Sequence, residues 1–169
     1  GVPDADIDAI EAWKLHTGNP GTVTIAILDS GLLSHPDLGT NAPPYPNGRI
    51  VEGRNTNNPS TPTLTIDECN PRHGTHVSGI AAATGNNGIG IAGVSWGANV
   101  MPVRVVNSSC FGTISHLADG IRWAADHGAH VANMSLQYYN ISAAEQTLLR
   151  NAVDHARAAG MLLVAAAGN

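Results

Sequence analysis

The apolar residues of the chain follow two alternating patterns. Short apolar runs rich in β-branched residues or alanine predict strands buried in a parallel sheet, at residues 23–28, 99–106, 131–134 and 161–167. Apolar or small residues at helical spacing predict helices at residues 6–15, 73–83, 113–127 and 142–159. Because helix and strand alternate after residue 73, the sequence predicts an α/β fold, with a parallel sheet covered by helices and right-handed crossovers.

Polar segments mark the boundaries of these elements. The last helix begins with a capping box formed by Ser142 and Glu145. Residues 40–66 are rich in Asn, Pro and Thr and predict a long surface loop, with a short strand near residues 49–51. The final run at residues 161–167 carries no charge, so we expect its strand to be buried on both faces.

Charge and composition exclude several classes of partner. The 169 residues carry a net charge of −5 and no Lys/Arg cluster, which argues against nucleic acid and acidic membranes. The longest apolar runs fall far short of the roughly 20 residues that span a bilayer, so we expect no membrane segment. No linker or internal repeat divides the chain, and residues 1–169 are expected to belong to one domain.

Two familiar motifs lie in the wrong structural context. Residues 88–93 match the dinucleotide pattern G-x-G-x-x-G, but a helix precedes this loop and a strand follows it, the reverse of a nucleotide-binding turn. Residues 93–97 match G-x-S-x-G, but Ser95 enters a strand, whereas the serine of a nucleophile elbow follows a strand and opens a helix. We therefore expect neither nucleotide binding nor an α/β-hydrolase serine.

Three polar residues lie where elements meet at one edge of the predicted sheet. Asp29 and Asn169 each follow a strand, and His73 opens a helix. Strand carboxyl ends and helix amino ends share one edge of a parallel sheet, so these side chains can converge. An acid, an imidazole and an amide donor are three of the four parts of an acyl-transfer site. The alternatives are a turn acid at Asp29 and a metal pair at His73 and His76, for which no third ligand has suitable spacing.

Five short segments carry a resemblance to a known family. They are Ile-Leu-Asp-Ser-Gly at 27–31, His-Pro-Asp-Leu at 35–38, His-Gly-Thr-His-Val-Ser-Gly at 73–79, Asn-Met-Ser-Leu at 133–136 and Ala-Ala-Ala-Gly-Asn at 165–169. In order and spacing these segments resemble the subtilisin-like serine proteases. The resemblance implies a three-layer α/β/α fold, and it implies that residues 1–169 are the amino-terminal part of a single catalytic domain.

The resemblance also implies a role for each member of the polar group. Asp29 corresponds to the acid that orients the imidazole, His73 to the general base, and Asn169 to the side-chain donor of the oxyanion hole. The family's Gly-Thr-Ser-x-Ala nucleophile segment does not occur in the sequence, and neither Ser30 nor Ser135 has its context. We therefore expect a serine endopeptidase whose serine lies on a missing or separate carboxy-terminal segment. The alternative is an inactive fragment or pseudoenzyme that acts as a binding module.

The resemblance further implies a cleft in which an extended polypeptide substrate pairs with two strand edges. Apolar residues beside these edges would hold one substrate side chain. The sequence departs from the family at Gln137, where glycine is usual, and at Phe111, where a small residue is usual. The implied substrate-binding residues are Ser109, Cys110, Phe111, Gly112, Ile114, Leu117, Ser135, Leu136 and Gln137.

A glycine-rich loop resembles the family's strong calcium site. Asp37 would supply a carboxylate and Asn87 its side-chain oxygen. Gly85, Ile89 and Ile91 would supply backbone carbonyl oxygens. Ca²⁺ prefers such hard oxygen ligands, so we expect a structural calcium ion.

The two cysteines, Cys69 and Cys110, are too few for a zinc cluster. Taken alone they are either buried free thiols or one disulfide. The resemblance places Cys69 shortly before His73 and Cys110 on a cleft edge, so it implies a Cys69–Cys110 bond. A disulfide would indicate an oxidising environment, and we therefore expect a secreted protein.

Overall fold

The computed structural model describes residues 7–18, 20–39 and 49–168. The predictions that concern residues 1–6, residues 40–48 and Asn169 lie outside the described residues. No helix in the described part of the chain is both long and apolar enough to cross a membrane.

Five parallel strands form the sheet. They are β1 Thr24–Asp29, β2 Arg54–Asn55, β3 Asn99–Arg104, β4 Val131–Met134 and β5 Leu162–Ala165. Their order across the sheet is β2-β3-β1-β4-β5, so β1 lies at the centre between β3 and β4. Up to Leu28 the sequence of β1 is uncharged and contains β-branched residues, which suits its central position in a sheet covered on both faces.

Four helices connect or precede these strands. They are α1 Ala9–Leu15, α2 His73–Ala82, α3 Ile114–Asp126 and α4 Ala143–Ala158, with a short 3-10 helix at Pro36–Leu38. The predicted capping box of α4 is formed, because Ser142 Oγ accepts the Glu145 N–H and the Glu145 carboxylate accepts the Ser142 N–H at 2.8 Å. These hydrogen bonds hold the pKa of Glu145 below its usual value.

Alternate residues of β1 point to opposite faces of the sheet and create a core on each side. Ala26 and Leu28 lie in the core beneath α3 and α4. Ile27 lies in the other core, with Leu32 and Val100, beneath α2. Helices on both faces of a parallel sheet make the three-layer α/β/α arrangement, which confirms the predicted fold class.

The prediction that the last strand is buried on both faces is wrong. Leu162 and Val164 of β5 are 61% and 45% exposed. β5 pairs with β4 and forms one edge of the sheet, and Leu163 on its other face packs against the core beneath α3 and α4. An apolar run shows that its side chains favour burial. Whether the side chains of β5 are buried depends on which neighbouring residues cover them, and the described residues leave one face of β5 uncovered.

The short strand predicted near residues 49–51 is a single parallel bridge between Ile50 and Val100. Regular pairing occurs a few residues later, where Arg54–Asn55 forms β2 beside β3. The sequence pattern did not predict β2, because two residues are too few to show an alternation of apolar and polar positions.

Two positions beside the end of β1 require glycine. A Cβ at residue 74 would collide with the carbonyl oxygen of Gly31. Gly31 itself has φ +113°, and a Cβ there would collide with the carbonyl oxygen of Thr65. Gly74 therefore lets the first turn of α2 lie against the carboxyl end of β1, and Gly31 lets the segment around Thr65 approach the same end.

We expect Gly74→Ala to lower the free energy of unfolding by about 1–3 kcal/mol, because the added methyl group must push α2 away from β1. The matched control is Gly79→Ala on the same helix, where the nearest atom to the new Cβ would be Ile91 Cδ1 at 3.7 Å. Alanine is the better helix former, so the control should be neutral or stabilising. Denaturant-induced unfolding measures both variants, and equal stabilities would contradict the close approach.

Candidate active site

The carboxylate of Asp29 and the imidazole of His73 are in direct contact at the carboxyl edge of the sheet. Asp29 is the last residue of β1 and is 1% exposed, and His73 is the first residue of α2. His73 Nδ1 lies 2.8 Å and 2.9 Å from the two Asp29 carboxylate oxygens. An ionised carboxylate only accepts hydrogen bonds, so Nδ1 is the donor in this contact and Nε2 is the ring nitrogen that remains to act as a base.

Ser30 supports this pair from beneath. Its N–H and its hydroxyl donate to Asp29 Oδ1 at 2.7 Å and 3.1 Å. Its hydroxyl oxygen accepts the Gly74 N–H at 2.9 Å. Ser30 is 1% exposed, so its hydroxyl orients the carboxylate and is closed to substrate.

A cleft of about 550 Å³ opens beside the pair. It contains four of the predicted substrate-binding residues, namely Cys110, Ser135, Leu136 and Gln137. Its lining also includes Ala166 and Gly168, which directly precede the predicted amide donor in the chain. Among the described residues, its lining is Asp29, Cys69, Pro71, His73, Val106, Cys110, Ser135, Leu136, Gln137, Ala166 and Gly168.

An apolar cavity of about 310 Å³ shares Leu136 and Gln137 with the cleft. Ile114 and Leu117 line it, as predicted. The remaining lining residues are Ile121, Met134, Tyr138, Ile141, Leu149, Val153 and Ala165. A cavity with this lining suits an apolar side chain of a ligand that occupies the cleft.

The sequence analysis missed Tyr138. Its hydroxyl lies 3.2 Å from the place where a Cβ at Gly112 would be, so the side chain reaches from one cleft edge to the other. The hydroxyl is buried and has no hydrogen-bond partner among the described residues. Burial and the nearby negative charge of Asp29 both raise the pKa of Tyr138, so it remains protonated. The pair of tyrosines after Gln137 was the signal that could have drawn attention to it.

The remaining predicted cleft residues lie in a turn on the rim. Asn107 Oδ1 accepts the N–H groups of Ser109 and Phe111 at 2.9 Å and 3.1 Å. Phe111 is 74% exposed. Gly112 packs against Val106, where a larger residue would not fit. Hydrogen bonds to the Asn107 side chain therefore order the turn. The substrate contacts of Ser109, Phe111 and Gly112 remain predictions.

The structure confirms the Cys69–Cys110 disulfide, which joins Cα atoms 5.2 Å apart. Cys69 is buried in the segment before α2, and Cys110 is exposed on the cleft rim. The bond therefore connects the segment that leads to His73 with the opposite wall of the cleft.

The predicted calcium loop wraps a buried carboxylate. Asp37 is 2% exposed and accepts the Ile91 N–H at 2.9 Å and the Asn87 side-chain amide at 2.8 Å. A Cβ at Gly90 would collide with the carboxylate. Asn87 directs its amide nitrogen at Asp37, while its oxygen accepts the Ile89 N–H at 3.0 Å. The oxygen groups suit Ca²⁺ in kind, and a cation would require the Asn87 amide to turn.

His76, the other member of the His-x-x-His pair, is exposed. The described residues contain no cluster of three or more His, Cys, Asp or Glu side chains that could hold a metal ion. The His73 and His76 metal pair therefore has no support in the described part of the chain.

The fold and the contact define a class of protein, a three-layer α/β/α chain with an acid–imidazole pair at the carboxyl edge of its sheet. Comparison with known families agrees with this class. Residues 21–169 match the family described as the Subtilase family. The chain belongs to the subtilase family.

Three similar proteins illustrate the relationship. The chain is 38% identical to Thermophilic serine proteinase of Bacillus sp. (strain AK1) over 159 residues, or 94% of this chain and 35% of the relative. It is 40% identical to Thermitase of Thermoactinomyces vulgaris, over 96% of this chain and 52% of the relative. It is 38% identical to Subtilisin Savinase of Lederbergia lenta, over 96% of this chain and 54% of the relative. The chain thus spans between about a third and about half the length of these curated relatives.

We expect replacement of both cysteines by serine, Cys69→Ser with Cys110→Ser, to lower the free energy of unfolding by about 4 kcal/mol, because the bond closes a loop of 41 residues. Denaturant-induced unfolding measures the change, with Ser108→Ala in the same turn as the control. Thiol titration of the unfolded, unreduced wild type should find no free thiol. Two reactive thiols there, or an unchanged stability in the double variant, would contradict the bond.

Proposed function

We propose that this chain is part of a secreted serine endopeptidase that hydrolyses polypeptides through an Asp-His-Ser triad. In this proposal Asp29 is the acid, His73 is the base, Asn169 is the oxyanion donor, and a carboxy-terminal segment supplies the serine. The observation that carries the proposal is the contact of 2.8 Å between His73 Nδ1 and the buried Asp29 carboxylate, inside a subtilase fold. Residues 1–169 would then be the amino-terminal part of a single catalytic domain.

The proposed reaction follows from the proton positions of the pair. His73 Nε2 takes the proton of the serine hydroxyl while the serine oxygen attacks the substrate carbonyl carbon, and the imidazolium is stabilised by Asp29. The carbonyl oxygen becomes an oxyanion, to which the Asn169 amide donates. The imidazolium then gives its proton to the leaving amine. Water then attacks the acyl-enzyme carbonyl carbon while His73 takes a proton from it. The ester bond breaks, the imidazolium returns a proton to the serine oxygen, and the carboxylic acid product leaves.

Substrate binding would use the two rims of the cleft. An extended peptide would add as a strand between Ser109–Gly112 and Ser135–Gln137, with main-chain hydrogen bonds to both. The apolar cavity beside Leu136 would take one side chain of that peptide. The Cys69–Cys110 disulfide supports an extracellular location, because disulfides persist in oxidising environments.

The proposed partner of this chain is the carboxy-terminal segment of the same protease. The exposed side chains of Leu162 and Val164 and the open edge of β5 support this partner, since an apolar sheet edge is normally covered.

The rival function is a catalytically inactive binding module. A serine-directed phosphonate distinguishes the two functions. It should label the complete protein if that protein is an enzyme, and it should leave the protein unlabelled if it is a binding module.

We expect Asp29→Asn in the complete protein to lower kcat by about 10⁴-fold, the size of the loss when another serine protease triad exchanges its acid for asparagine. The amide cannot stabilise the imidazolium and can invert the tautomer of His73. The matched control is Asp126→Asn, because Asp126 pairs with His155 at 2.7 Å on the surface, away from the cleft. Peptide hydrolysis measures both variants. A similar small effect of the two replacements would contradict the triad.

We also propose a structural calcium ion at Asp37, Asn87 and the carbonyl groups of Gly85, Ile89 and Ile91. Bound there, the ion would neutralise the buried carboxylate and fix the loop between α2 and β3. Removal of calcium by a chelator should lower the melting temperature of the wild type, and Asp37→Asn should abolish that response. Calorimetry with and without added Ca²⁺ measures it. A melting temperature that the chelator leaves unchanged would contradict the site.

A further inference from the structure

The first turn of α2 is held by side chains from outside the helix. Its N-cap residue, Arg72, has a left-handed backbone with φ +65° and supplies no side-chain cap within the described residues. Instead the Gly74 N–H donates to Ser30 Oγ, and the Thr75 N–H donates to Asp67 Oδ2, each at 2.9 Å. These are donors that an α-helix leaves without an intrahelical partner. The side chains of Ser30 and Asp67 therefore fix the start of α2 by accepting its first free N–H groups.

Asp67 is a fully buried carboxylate, 0% exposed. Besides the Thr75 N–H, it accepts the Thr75 hydroxyl at 2.7 Å and the Cys69 N–H at 3.2 Å. The Thr75 oxygen in turn accepts the Leu33 N–H at 3.0 Å. No salt bridge reaches Asp67 in the described ranges, so its hydrogen bonds and the positive end of α2 compensate for its burial.

These contacts join three parts of the site. Leu33 lies in the segment that follows the acid of the pair, and Thr75 lies in the turn that carries the imidazole. Cys69 lies in the wall of the cleft and holds the disulfide. Each of these parts is anchored to the same carboxylate, directly or through the Thr75 hydroxyl, so a change at Asp67 acts on all of them.

We propose that Asp67 is a positioning residue of the active site, which fixes the separation of His73 and Asp29 by binding the first turn of α2. All the groups that face its oxygens are donors, so an ionised carboxylate fits and an amide would turn an NH₂ group toward one of them. Asp67 does not line the cleft, and it acts through the helix. The proposal rests on the proposed function for its kinetic consequence only.

The test is Asp67→Asn in the complete protein, with Asp119→Asn as the matched control. Asp119 is 65% exposed on α3, so the control makes the same change of charge on the surface. The first readout is the low-field NMR resonance of the proton between His73 Nδ1 and Asp29. We expect the Asp67 variant to shift or broaden this resonance and to lose between about tenfold and 100-fold in kcat at nearly constant KM. The control should change neither.

A second pair of variants keeps the test independent of folding. Thr75→Val removes the hydroxyl that links Asp67 to Leu33, and Thr75→Ser keeps it. We expect the valine variant to change the resonance in the same direction and the serine variant to retain the wild-type signal. If Asp67→Asn does not fold, the Thr75 pair decides the question.

A folded Asp67→Asn variant with wild-type resonance and wild-type kcat overturns the proposal. Loss of folding in both Asp67→Asn and Thr75→Val also overturns it, because Asp67 would then maintain the fold and not the geometry of the pair. If the wild-type protein fails to react with a serine-directed phosphonate, the proposed function fails. The resonance still decides the role of Asp67 in that case.

Discussion

The contact between buried Asp29 and His73 is the constraint on which the rest of the site depends. A carboxylate that is almost fully removed from water is strongly destabilising unless hydrogen bonds surround it. Asp29 receives them from His73 and from the N–H and hydroxyl of Ser30. The His73 bond forms only if α2 lies directly against the end of β1, which the absence of a side chain at Gly74 allows. Gly74 therefore contributes to the site through packing.

The same constraint explains why α2 is capped from a distance. A helix usually begins with its own Ser, Thr, Asp or Asn, as α4 does at Ser142. In α2 the corresponding position is Arg72, and the orphan N–H groups are satisfied by Ser30 and Asp67 instead. Capping by distant residues ties the helix to the sheet and to the cleft wall. The position of the helix is then set by tertiary contacts, as the alignment of the His73 imidazole with the Asp29 carboxylate requires.

The sequence predicted the features that a local pattern determines. The uncharged run before Asp29 predicted the central strand because burial on both faces demands such a run. Ser142 and Glu145 predicted the start of α4 because both halves of the capping box are local. Asp67 and Tyr138 could not be predicted in this way, because Asp67 binds the Thr75 N–H across a non-helical segment and Tyr138 contacts the opposite cleft edge. The exposure of β5 depends on neighbours and not on its own composition.

The two halves of the cleft consequently differ in how this chain supports them. Asp29 ends a strand that has hydrogen-bonded neighbours on both sides and a core on each face, so the acid and the imidazole are held by the described residues alone. Ala166 and Gly168 follow β5, where Leu162 and Val164 are exposed. Catalysis of the proposed kind needs both halves fixed to within a fraction of an ångström. Covering β5 would therefore support the side of the cleft that Ala166 and Gly168 line and leave the acid–imidazole side unchanged, so under the proposal a carboxy-terminal segment would have a structural role besides supplying the serine.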